Sequence, residues 1–122
     1  MSIESKKKKQ LIERLNKRLL SEAEMECPKS TKDKELNNNN KKKITETHQY
    51  GLPTKDAKEK GQNCGNCVAF DISSRMKDCM GNDSGEVGYC WMHHFMCSGQ
   101  KWCDTWVKGG PITEDSVSYE KQ

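Results

Sequence analysis

The chain has 122 residues, 32% of them hydrophobic and 32% charged, with a formal charge of +3 at neutral pH. That leaves room for one domain and an appendage, and supplies too little apolar matter for a large core. Lysines at 6 to 9 are followed by a stretch broken by Glu13, Arg14, Asn16, Lys17 and Arg18, so neither a secretory leader nor a membrane span is expected, and a reducing cytoplasm is the expected compartment.

The first predicted element covers residues 1 to 27. Leu11, Leu15 and Leu19 recur every four residues, with Ile12 and Leu20 beside them and Lys, Arg and Glu opposite, which is the pattern of an amphipathic helix. Pro28 disfavours the helical conformation at Cys27, so the helix is expected to stop there. A lone amphipathic helix must bury its stripe on something, and the Leu11, Leu15 and Leu19 face reads as a contact with a protein partner, a redox partner or an assembly neighbour. The stripe is short and has no aromatic residue, which argues against a membrane surface.

Residues 28 to 48 hold Leu36 and Ile44 as their only aliphatic side chains, around four Asn followed by three Lys, and read as a disordered linker. Residues 1 to 60 carry 16 Lys and Arg against 10 Asp and Glu, whereas residues 64 to 110 carry 4 against 5. Scattered lysine runs of this kind read as a solvated segment rather than as a nucleic-acid surface.

Residues 49 to 110 form the predicted domain. Six of the seven cysteines and all three tryptophans lie between Cys64 and Trp106, among frequent glycines and with no long periodic stretch. The expected fold class is therefore a small, irregular domain stapled by a metal cluster, with little regular secondary structure, preceded by the amphipathic helix and the linker. Residues 111 to 122 read as a polar tail.

The cysteines are Cys64, Cys67, Cys79, Cys90, Cys97 and Cys103, the first two in CGNC. Two cysteines separated by two residues can place both sulfurs on one metal or on two corners of a cluster, with Gly65 allowing the tight turn. A zinc ribbon would need a second close pair, which is missing, and a thioredoxin-like dithiol would need a βαβ pattern, which is missing too. No nucleophilic triad, phosphate loop or paired-carboxylate motif points to catalysis.

The strings CGNCVAF, GYC and KWCDTW, in that order, resemble the CxxCxF, GxC and GWCxxW segments of the high-potential iron-sulfur proteins. The resemblance implies a [4Fe-4S] cluster held by Cys64, Cys67, Cys90 and Cys103, shelled by Tyr50, Phe70, Phe95, Trp102 and Trp106 and joined by Trp91. It also implies one-electron carriage. Cys79 and Cys97 are extra to the pattern and read as thiols outside the cluster, free or bridged, or as alternate ligands; Cys27 reads as a free thiol. His93 and His94 are adjacent, so their rings should point in different directions, and neither reads as a ligand. The departures leave a second function open: a structural or interaction component of an assembly such as a phage virion or tail, in which the cluster staples a module that the N-terminal helix docks. A zinc-binding module stands third.

Overall fold

The computed structural model describes residues 27–122; the amphipathic segment with Leu11, Leu15 and Leu19 lies outside the described residues. The described residues form five helices and a three-stranded antiparallel sheet: α1 (Lys29–Lys32), α2 (Lys34–His48), α3 (Lys55–Glu59), β1 (Phe70–Asp71), α4 (Ser74–Met80), β2 (Val87–Cys90), β3 (Phe95–Ser98) and α5 (Asp115–Lys121), with a 3₁₀ turn at Cys64–Asn66. The strand order is β1-β2-β3. Among the described residues no helix is long and apolar enough to cross a membrane.

The stretch read as a disordered linker is helical. Asp33 caps α2 by accepting the Leu36 N–H at 3.0 Å, and Ile44 enters the core, 5% exposed. The asparagines account for the rest. Asn37 Oδ1 accepts the Met96 N–H at 2.6 Å, and Asn40 Nδ2 donates to the His94 carbonyl at 2.7 Å. Two residues of the asparagine run thus satisfy backbone groups along the open edge of β3, which would otherwise be left unpaired. Composition favours disorder here, and tertiary hydrogen bonding overrides it.

The polar tail is also part of the packed unit. Ile112 exchanges backbone hydrogen bonds with the β1 region, donating to Phe70 at 2.7 Å and accepting from Ile72 at 2.9 Å. Beyond it, α5 is fastened by a buried polar network. Asp71, fully buried, accepts from Trp91 Nε1 at 2.8 Å and from the Ser118 hydroxyl. Arg75 donates to Ser118 Oγ at 2.9 Å and to Gln122 Oε1 at 2.5 Å, with its guanidinium 4.1 Å from the centre of the Tyr119 ring. Buried polar groups persist when each has its partner, and here they do. The domain boundaries read from composition, 49 and 110, therefore cut through packed structure.

Two apolar clusters hold the fold. One gathers Met76, Cys79 and Tyr89 with Cys27, Met80, Trp91 and Met96 beside them. Within it Cys27 and Cys79 form a disulfide, which corrects the reading of Cys27 as a free thiol and removes Cys79 from the possible ligands, because a bridged sulfur offers no thiolate. The other cluster joins Ile44, Tyr50, Ala69, Phe70 and Phe95 to Cys64, Cys67, Cys90, Cys97 and Cys103. Half of its buried members are cysteines, so its cohesion depends on what those sulfurs bind.

Candidate metal centre

Three local structures deliver the five free cysteines. Asn63 and Asn66 bracket the 3₁₀ turn reciprocally, and Cys67 N–H closes onto the Cys64 carbonyl at 2.9 Å, which sets Cys64 and Cys67 as neighbouring prongs. Cys90 ends β2 opposite Phe95, and Cys97 lies in β3 opposite Gly88. Gly88 is required: a Cβ there would stand 2.5 Å from the Phe70 ring. Cys103 follows the bridge between Trp102 and Gly51. Trp106 then fixes the CGNC turn from the far side, donating Nε1–H to the Asn63 carbonyl and to Asn66 Oδ1, both at 2.8 Å.

All five thiols are buried and unbridged. They line one partly enclosed apolar cavity together with Phe70, Met92, Thr105 and Trp106. Among the described residues no group of three or more His, Cys, Asp or Glu side chains is placed so that it could hold a metal ion.

Burial dominates the electrostatics. It pushes the Cys90 thiol up to about 12, against the opposing pull of hydrogen bonds from the His93 and Met92 N–H groups. It raises Cys103 as well, against donation from the hydroxyl and backbone N–H of Thr105, whose Oγ1 is 3.1 Å from the sulfur. Cys97 is held well above its usual range by its hydrogen bond with Cys64 and then by burial, and the same bond lowers Cys64. Burial thus favours the protonated thiol at Cys90, Cys97 and Cys103, and a cation bound there must displace those protons.

The shell expected from the sequence divides. Phe70 and Trp106 line the cavity. Tyr50 and Phe95 stand behind it in the same cluster, edge to face with centroids 4.9 Å apart, and Tyr50 Oη accepts the Ser98 N–H at 3.0 Å. Trp102 turns aside to donate to Gln62 Oε1 at 3.3 Å, and Trp91 packs in the other cluster against Tyr89. The histidines diverge as expected, His93 bonding Thr105 at 2.7 Å and His94 the Tyr89 hydroxyl at 3.3 Å. Sequence reasoning missed Met92 and Thr105. A hydroxyl two residues after a cysteine was the available signal for Thr105, since that spacing lets it turn back onto the sulfur; Met92 had none. No family model, curated protein or solved structure matches the chain.

Proposed function

We propose that this protein holds one [4Fe-4S] cluster through Cys64, Cys67, Cys90 and Cys103 and serves as a one-electron carrier. The observation that carries the reading is the set of buried, unbridged cysteines around one apolar cavity. An all-sulfur donor set selects iron-sulfur clusters, zinc or copper(I), and the CGNC, GYC and KWC contexts favour a [4Fe-4S] cluster among these through their resemblance to the high-potential iron-sulfur proteins. The cluster, when bound, supplies reversible one-electron chemistry. The chain supplies the thiolates and hydrogen bonds to two of the proposed ligand sulfurs, from Met92 and His93 to Cys90 and from Thr105 to Cys103. Phe70, Met92 and Trp106 limit water at the site. Hydrogen bonds to sulfur raise a cluster's reduction potential, whereas a dry wall lowers it by disfavouring the extra negative charge of the reduced cube.

The second reading, a module of a larger assembly that the cluster merely staples, draws support from the Cys27–Cys79 bridge. A structural disulfide favours an oxidising compartment, or a particle exposed to one, over the reducing cytoplasm. Voltammetry of the purified protein separates the two. A carrier gives a reversible one-electron wave that follows the bleaching and return of the cluster's visible absorption. A cluster whose absorption does not respond across the accessible potential range would leave only the staple.

A further inference from the structure

The sulfur of Cys103 is the end of a chain of hydrogen bonds that starts at a histidine. Its Sγ stands 3.1 Å from Thr105 Oγ1, and that same oxygen stands 2.7 Å from His93 Nε2. The ring of His93 is held in this direction from both sides. It stacks on His48 with centroids 5.1 Å apart and planes 25° from parallel. His48 is in turn tied to the Cys103 turn twice: its Nδ1 lies 2.9 Å from Asp104 Oδ1, and its carbonyl accepts the Asp104 N–H at 2.9 Å. The turn between β2 and β3 that carries His93 is pinned as well. His94 N–H donates to the Cys90 carbonyl and Asn40 Nδ2 to the His94 carbonyl, both at 2.7 Å. His94 itself adopts the left-handed region, with φ 56°, which a non-glycine residue keeps only where its surroundings enforce it.

Counting hydrogens decides what this chain can do. A threonine hydroxyl has one hydrogen to give and lone pairs with which to receive. A ligand thiolate has none to give, and its charge draws donors strongly. With Oγ1 between Nε2 and Sγ, two arrangements exist. In the first, Nε2–H donates to Oγ1 and the hydroxyl hydrogen points at Sγ. In the second, the hydroxyl donates to a bare Nε2 and turns a lone pair toward the anionic sulfur. The charge on sulfur favours the first, which needs a hydrogen on Nε2. Both the Nε2–H tautomer and the imidazolium supply it, so the arrangement is the same whether or not the ring is charged.

We propose that His93 is a positioning residue for the cluster: its Nε2–H aims the Thr105 hydroxyl at Cys103 Sγ and thereby raises the reduction potential. The inference rests on the carrier reading and names the side chain that sets the potential of that site. The imidazole acts through Thr105, and substitution leaves the backbone N–H at position 93 in place.

The test is a double-mutant cycle read as the reduction potential of full-length, cluster-loaded protein. Thr105→Val removes the hydroxyl, His93→Phe keeps a flat ring against His48 without the donor, and His93→Gln restores an N–H. Thr105→Val should shift the ratio of oxidised to reduced protein at a fixed potential about tenfold toward the oxidised form, which is about 59 mV for a one-electron couple. His93→Phe should give most of that shift, His93→Gln little of it, and His93→Phe added to Thr105→Val none. A purely structural His93 would lower the melting temperature in both backgrounds and leave the potential where it was. An unmoved potential in His93→Phe, or an equal shift when Thr105 is already valine, overturns the inference. Where a variant does not fold, hydrogen–nitrogen correlation spectra of histidine-labelled wild type decide: a hydrogen on His93 Nε2 supports the inference, and a hydrogen on Nδ1 alone overturns it. Iron and sulfide analysis of each sample keeps the two claims apart. Protein without the cluster removes the carrier reading and this inference with it, whereas loaded protein whose potential ignores His93 removes the inference alone.

Discussion

Replacing Cys79 by serine should remove a large share of this protein's stability. The bridge to Cys27 spans 52 residues of sequence, and in the chain-entropy model a loop of that length restricts the unfolded ensemble by about 4 kcal/mol. Set against the roughly 5–15 kcal/mol of a typical small domain, that decides whether the chain stays folded at growth temperature. For a unit of this size it corresponds to a fall in melting temperature on the order of 15 °C or more. Cys27→Ser should cost about as much, and the double variant hardly more than either single one, since the bridge can be lost only once. The assay is thermal unfolding with and without a reductant, at matched iron content checked by absorbance. Wild type should fall to the variants' midpoint on reduction, and the variants should not move. A variant that melts with the oxidised wild type, or that responds to reductant as strongly, would refute the bridge as a stabilising element.

Other outcomes follow from the packing. Gly88→Ala drives a methyl into the Phe70 ring that lines the cavity, and should cost about 1–3 kcal/mol with a parallel fall in bound iron, read by melting and metal analysis. Deleting residues 1 to 48 should abolish folding, since it removes Ile44 from the core and Asn37 and Asn40 from the edge of β3; a truncated chain that still melts cooperatively would contradict this. Cluster-free protein should lose stability as pH rises above about 9: Cys90, raised to about 12, and Cys103, also raised, keep their protons longer when folded, so the stability present below the unfolded thiol's pKa drains away between that value and the folded one. The loaded protein, whose thiolates are neutralised by iron, should show a smaller loss in the same chemical-denaturation series. Single Ser substitutions at Cys64, Cys67, Cys90 and Cys103 should each remove most of the iron, whereas Cys97→Ser should retain it; iron lost from Cys97→Ser and kept in Cys90→Ser would reassign the third ligand.

What the sequence made legible and what it hid have physical reasons. The CGNC, GYC and KWC strings single out Cys64, Cys67, Cys90 and Cys103 in the sequence, and the structure places these four, with Cys97, around one cavity. The pairing of Cys27 with Cys79 was not, because a contact across 52 residues leaves no local trace. Residues 28 to 48 hid their helix because its asparagines look disordered until β3 offers them backbone groups to bind. The C-terminal segment hid α5 for the same reason: Ser118 and Gln122 are polar in sequence and become anchors only when Asp71 and Arg75 are brought to them. Thr105 and Met92 were visible as residues but not as members of the site, since each owes its place to a turn rather than to a motif.

The most direct test of the cluster is a determination of iron, acid-labile sulfide and zinc in full-length protein purified without oxygen. Four suitably placed cysteines at one cavity predict about four iron and four sulfide per chain and a brown solution. Colourless protein with one zinc per chain, or with no metal at all, would contradict the account.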